Sequence, residues 1–220
     1  MKNDSLETPY ITIDLDNIAK RYLEYKQFFS AYKIYYAVKA NPHPEILKLL
    51  VDLGSHFDVA SMGEIKEVLK AGGNVKNISF GNTIKKPQDI KKAYELGVRL
   101  FAVDSVEEID KISKFAAGSD VFCRLLVNCD GAQWPLSRKF GCSAQVAKEV
   151  LIDAKLKGLT PRGFSFHVGS QQLNLDCWEP IISMIKDLFI ELANEGIELD
   201  LINLGGGFPI QYIDSVPTSN

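Results

Sequence analysis

KIYYAVKANPHPEILKLLVDLG, residues 33–54, decides the fold. Residues 33–40 form an apolar, aromatic run of the kind that fills a buried strand. Pro44 opens a second run in which Ile46, Leu47, Leu49, Leu50 and Leu53 make a helical stripe, closed by Gly54. A strand and a helix thus follow one another in a single short stretch.

The same unit repeats outward. Strands are expected at residues 57–60, 78–81, 100–104, 121–127, 163–168 and 201–204, with helices at 62–71, 87–96, 106–116, 143–157 and 178–194. Ser61, Ser105, Ser143 and Asp176 are candidate N-caps, and Pro87 suits a first turn. Gly72, Gly97, Gly158 and Gly196 close the helical stripes. Strand starts recur about every 22 residues over the first four intervals, and such alternation needs a parallel sheet, because each parallel connection requires a crossover. An open doubly wound sheet and a (β/α)8 barrel both satisfy this. No nucleotide fingerprint follows the first strand, which favours the barrel. The expected fold is therefore α/β, a TIM-like barrel incomplete at seven strand–helix units. It forms one domain over residues 1–220, with a lead-in strand and helix over 1–32 and barrel units over 33–209. A barrel of this type takes about 250 residues, so the chain is expected to be a fragment, or its gap to be covered by a partner. A lead-in strand over residues 10–15 is a further candidate for the gap.

Composition narrows the function. The 220 residues are 46% hydrophobic and 24% charged, which excludes a disordered chain. A net charge of -3 offers no broad basic face for nucleic acid. No apolar run is long enough to span a membrane, and MKNDSLETPY at the start has no apolar core for a secretory signal. Cys123, Cys129, Cys142 and Cys177 make no C-x-x-C pair, and three histidines supply no zinc spacing. They read as reduced thiols of a cytoplasmic protein without a metal.

Several residues stand where barrel chemistry sits, at the C-terminal ends of strands. Lys39 ends an apolar strand, and an amine held in low dielectric becomes a usable nucleophile for Schiff-base chemistry. A strand-end lysine reaching solvent is the plain alternative. His167 ends another strand, suited to stacking on an aromatic ligand or to shuttling a proton, and Gly169 and Ser170 follow it. Gly205, Gly206 and Gly207 bare their backbone N–H groups after the seventh strand, where barrels often hold phosphate. Asp58 and Glu64 flank the second strand's end and are placed to orient Lys39, although a first-turn acid such as Glu64 is equally explained by the helix dipole. A long loop, residues 128–142, leaves the fifth strand and carries Arg138 and Lys139, which suit an acidic substrate group or plain solvent exposure.

Taken together, YYAVKANPHPEIL, FDVASMGEI, WPLSRKFG, FHVGSQ and LGGGFP, in this order, resemble the ornithine/diaminopimelate decarboxylase family of pyridoxal-phosphate enzymes with alanine-racemase-like barrels. FHVGSQ with GGGFP resembles the ornithine/lysine branch more closely than the diaminopimelate branch. The resemblance implies that Lys39 forms the Schiff base with pyridoxal 5'-phosphate and that His167 stacks on its ring. Ser170, Gly205, Gly206 and Gly207 match the phosphate cradle, and Asp58 and Glu64 match acids near the lysine. It further implies decarboxylation of a small basic amino acid, ornithine to putrescine first, in a homodimer when full length. The family's C-terminal β domain, and its acidic partner for the ring nitrogen, have no counterpart here, so the isolated chain is expected to be inactive. Pro135 stands where some eukaryotic members carry an arginine near the cofactor. A non-catalytic, antizyme-inhibitor-like binding protein is the rival from another class; a lysine or diaminopimelate decarboxylase, and a racemase or small pyridoxal-phosphate-homeostasis barrel, are rivals within the superfamily.

Overall fold

The computed structural model describes residues 7–134, 139–211 and 216. Seven strands form one parallel sheet: β1 (Tyr35–Ala37), β2 (His56–Val59), β3 (Ile78–Phe80), β4 (Leu100–Val103), β5 (Asp120–Arg124), β7 (Thr160–Ser165) and β9 (Leu201–Asn203). Each lies beside its predecessor in the order β1-β2-β3-β4-β5-β7-β9. A doubly wound sheet would reverse direction at a switch point; this one never does, so it is an arc of a TIM-like barrel, as expected.

Helices α2 (Pro44–Asp52), α3 (Met62–Lys70), α4 (Pro87–Leu96), α5 (Val106–Phe115), α6 (Ala144–Leu156) and α7 (Trp178–Asn194) are the crossovers. Their apolar stripes meet the outward side chains of the strands. Phe57, Val59, Ile78, Phe80, Phe101, Val103, Val121, Cys123 and Phe164 pack there with Ile46, Ile65, Ile90, Ile109, Val150 and Ile185 into one core. Because side chains alternate along a strand, the opposite, concave face carries Asp58, Ser79, Phe122, Arg124 and Ser165. That face is polar toward the strands' C-terminal ends.

The arc curls far enough for its two edges to sense each other. The Asp200 carboxyl, just before β9, is held below its usual range first by its hydrogen bond to Arg162 and also by the Lys33 charge beside β1, and Arg162 on β7 opposes the burial that raises Tyr35 of β1. Phe208, beyond β9, meets Phe29 and Tyr25 at ring-centroid distances of 5.8 and 6.4 Å, and stacks on Trp178 at 5.6 Å. At the opposite end of the sheet, Arg162 donates to Asp120 at 2.8 Å and to both oxygens of Asp200 at 2.7 Å, pinning β5 and β7 to the entrance of β9.

Three expectations need correction. Residues 10–14 form no strand; Asp14 instead caps α1 (Leu15–Phe28), its carboxylate accepting from Asn17 N–H at 3.0 Å. Asp176 does not cap α7. Asn174 accepts from Asp176 N–H at 3.1 Å in a separate one-turn helix, and Cys177 takes the cap position. The long loop is not all irregular: β6 (Ala132–Trp134) pairs antiparallel with β8 (Ser170–Gln172), laying it beside the strand-end motif FHVGSQ. No helix among the described residues is long and apolar enough to cross a membrane.

Candidate active site

Lys39 leaves the strand at once. β1 ends at Ala37, and residues Val38–Ala40 make one 3-10 turn that lifts the ammonium out of the sheet. Lys39 is exposed, so the low-dielectric setting expected for it is not found; the turn, and the three-residue length of β1, are the reason. It nevertheless stays at the mouth, because its charge acts on both Asp58 and His167.

Asp58 lies on the concave face opposite Ser79. Burial pushes its carboxyl up to about 6, and Glu64 adds to the rise; Lys39, Arg124 and the Ser79 hydroxyl oppose it. Gly81 makes the room: a Cβ there would collide with both carboxylate oxygens. Glu64 is occupied locally. Its Oε2 accepts from Ala60 N–H at 2.6 Å while Ser61 Oγ accepts from Glu64 N–H at 3.3 Å, a reciprocal cap of α3. Of its two readings the helix-end one is realised, with an electrostatic effect on Asp58 remaining.

His167 is half-buried beyond β7, in step with Ser165 on the concave side. Its Nδ1 accepts from Gly169 N–H at 3.0 Å, which leaves Nε2 to carry the ring's hydrogen. Burial, with Arg124 and Lys39 nearby, lowers its pKa to about 4, so the ring is neutral at pH 7. A neutral, oriented imidazole is suited to lying against an aromatic ring.

The glycine triplet follows β9 and folds onto the end of β7. Gly205, at φ +76°, would drive a Cβ into Phe166 O, and Gly207, at φ +91°, into Gly169 O. Gly206 differs: the nearest atom a Cβ would meet is His167 Nε2, at 3.8 Å. Its peptide is bare on the side of the imidazole. Gly205 N–H already donates to Asn203 Oδ1 at 2.8 Å and Gly206 N–H to Leu204 O at 3.0 Å, so the triplet is a stiffened turn rather than three free donors. Ser170, in β8, brings its hydroxyl-bearing strand alongside, and Gln172 N–H donates to Gly207 O at 2.8 Å.

Arg124 was not singled out from the sequence, yet it completes the cluster. It ends β5 on the concave side, half-buried, and acts on Asp58 and His167 while Asp104 acts on it. The signal was available: VFCRLLV is an apolar strand interrupted by one charge, the pattern that marked Lys39. Gln171 is a second addition. Its amide grips Ile210, accepting from N–H at 2.8 Å and donating to the carbonyl at 2.7 Å. Arg138 and Pro135 lie outside the described residues; Lys139 is exposed.

A parallel β/α arc with an amine, a neutral imidazole, a half-buried acid and a stiffened glycine turn converging at the strand ends defines a pyridoxal-phosphate-binding barrel. Residues 15–220 match the family described as "Pyridoxal-dependent decarboxylase, pyridoxal binding domain", and the chain belongs to that family. It is 37% identical to the lysine/ornithine decarboxylase of Selenomonas ruminantium over 93% of its own length and 52% of that protein's. It is 36% identical to the ornithine decarboxylase of Candida albicans, covering 92% and 43% of the two chains. Among solved structures, lysine decarboxylase from Selenomonas ruminantium superposes with a TM-score of 0.90 at 36% identity, covering 97% of this chain and 56% of that one. A lysine/ornithine decarboxylase from Vibrio vulnificus complexed with putrescine gives 0.85 at 30% identity, over 93% and 54%. The chain thus spans about half the length of the relatives it matches.

The residues present fit the family's cofactor. The bare peptide at Gly206 and the His167 ring leave a planar ring and an anionic tail room on one side, and Lys39 and Arg124 supply positive charge facing them.

Proposed function

We propose that this chain is the cofactor-holding barrel of a decarboxylase acting on a basic amino acid, L-ornithine to putrescine in the first instance. Lys39 attaches the aldehyde of pyridoxal 5'-phosphate through its amine. His167 lies against the ring, and its neutral state avoids placing a second cation under it. Ser170 and the turn at Gly205–Gly207 hold the phosphate, with Gly206 the closest approach. Asp58 faces Lys39 with the opposite charge and holds its amine toward the mouth; Arg124 acts on Asp58 and His167, and Glu64 contributes through Asp58. When bound, the cofactor supplies an electron sink for the carbanion left by loss of CO2.

The single observation that carries this reading is the convergence of Lys39, Asp58, Arg124 and His167, each within electrostatic reach of others in the group. The lysine/ornithine and lysine decarboxylases among the relatives support a second substrate, L-lysine. The whole protein is proposed to act in polyamine biosynthesis, in the cytoplasm, as a homodimer.

The test is covalent trapping. Incubation with pyridoxal phosphate, reduction with borohydride and peptide mass mapping should place the phosphopyridoxyl group on Lys39. Lys39→Ala should lose it. Equal labelling of both proteins, or a label confined to other lysines, rejects the assignment. Supplying the full-length protein with ornithine or lysine and measuring CO2 release then separates the two substrates.

A further inference from the structure

Two thiols outside the cofactor cluster face each other. Cys123 Sγ and Cys142 Sγ lie 3.6 Å apart. Cys123 points from β5 into the helix-side core and is fully buried. Cys142 stands where the long loop returns, and is half-buried.

The backbone fixes this approach. Cys142 N–H donates to Arg124 O at 3.0 Å, and Cys142 O accepts from Leu126 N–H at 2.8 Å, so Cys142 runs parallel to Leu125 as a one-residue extension of the sheet. Gly141 N–H donates to Asp104 Oδ2 at 3.0 Å, tying the same segment to the end of β4. Cys142 pairs with Leu125, two residues beyond Cys123 on the same face of β5, so the two thiols meet on a diagonal of the ladder, 3.6 Å apart, where a disulfide holds its sulfurs about 2.05 Å apart. Closing the bridge requires an approach of about 1.5 Å between the sulfurs, taken up by side-chain rotation together with a small shift of the loop's return at Cys142.

We propose that Cys123 and Cys142 form a reversible disulfide site oxidised by hydroperoxides. The contact with Cys123 holds the Cys142 thiol below the usual range, while burial pushes Cys123 up, so Cys142 is the first to react. Its thiolate attacks the peroxide: an S–O bond forms, the O–O bond breaks, and the departing alkoxide or hydroxide takes up a proton. The Cys123 sulfur then attacks the Cys142 sulfur. The S–S bond forms, the S–O bond breaks, and the leaving hydroxide departs as water with the proton from Cys123. In balance, two thiols lose two electrons and one hydroperoxide is reduced to water and an alcohol, or to two waters. The bridge encloses the entire loop over residues 128–142 and anchors its return beside Arg124.

The experiment uses the full 220-residue chain. Graded hydrogen peroxide, maleimide quenching and digestion should yield a peptide joining Cys123 to Cys142, and dithiothreitol should return both thiols. Cys142→Ser should abolish the peptide, and Cys129→Ser/Cys177→Ser should retain it. Cys142→Ser changes a half-buried residue, so the answer does not depend on the buried Cys123→Ser variant folding. Accumulation of Cys142 sulfinate with Cys123 still free would overturn the proposal. So would a bridge recovered only between Cys129 and Cys177, which also neighbour each other.

Discussion

Gly81 and Asp58 occupy one space: the position that any side chain at residue 81 would fill is taken by the Asp58 carboxylate. The half-buried acid at the mouth therefore depends on the absence of an atom on the next strand's end. Gly81→Ala should displace the carboxylate and destabilise the fold by about 1–3 kcal/mol, the usual cost of overpacking. Urea denaturation measures it. An unchanged midpoint would mean that Asp58 has somewhere else to go.

Asp58 and His167 should pull stability in opposite directions with pH. The folded pKa of Asp58, about 6, lies above its ordinary value, so the native state holds the extra proton and stability falls as pH rises from 4 to 6. The folded pKa of His167, about 4, lies below its ordinary value, so stability is complete above pH 6.5 and is lost as pH falls toward 4. Asp58 contributes about 2–3 kcal/mol across its window. His167 is half-buried, and solvent screening limits it to about 2 kcal/mol. The two nearly cancel in the unmodified chain. Asp58→Asn should expose a rise in stability from pH 4 to 6.5, and His167→Asn a fall. Denaturant midpoints at several pH values check both; slopes of the same sign in the two variants would contradict the assignment.

Substitutions along the glycine turn should separate folding from binding. Gly207→Ala faces both a positive φ and the Gly169 carbonyl, so it should lower the thermal midpoint. Gly206→Ala meets little but the His167 ring edge and should fold normally. It should still weaken pyridoxal phosphate binding about tenfold or more, roughly 1.4 kcal/mol, because its methyl enters the space proposed for the cofactor. Cofactor titration beside a thermal melt distinguishes the two variants.

Lys85 is a buried cation at the end of the β3–α4 connection. Its Nζ donates to Ala102 O at 2.6 Å, Asn82 O at 2.9 Å and Thr83 O at 3.2 Å, and lies 3.2 Å from Glu108 Oε2. Burial lowers its pKa to about 8 despite Glu108. Lys85→Met should cost up to about 3 kcal/mol by removing one of the two cations that pair with Glu108. Adding Glu108→Leu should recover part of that loss. Lys111, which also pairs with Glu108, keeps the single variant from the full penalty of an isolated charge. Chemical denaturation of the two variants provides the comparison.

The central strands β2–β5 and β7 and the six crossover helices are legible because each buries apolar side chains, and burial leaves a periodic trace; the edge strands β1 and β9 are only partly buried and are read from their apolar composition. β6 and β8 left none: each is three residues long, and their pairing is a tertiary event between Ala132–Trp134 and Ser170–Gln172. Lys39, Asp58, His167 and the glycines were legible as chemistry placed at strand ends. Arg124 carries in VFCRLLV the same strand-end signature as Lys39, whereas Lys85 has none, because a lone cation in a connection looks the same in sequence whether it meets water or an acid. The exposure of Lys39 was missed for a related reason: a single 3-10 turn decides it, and such a turn has no period to read.

Gln171 clasps both backbone groups of Ile210, and Gln172 reaches back to Gly207. The segment after β7 and the segment after β9 are thereby stitched into a single mechanical body. Any fluctuation that loosens one wall should appear at the other on the same timescale, and amide relaxation at Gly169 and Gly206 should report one exchange process, not two.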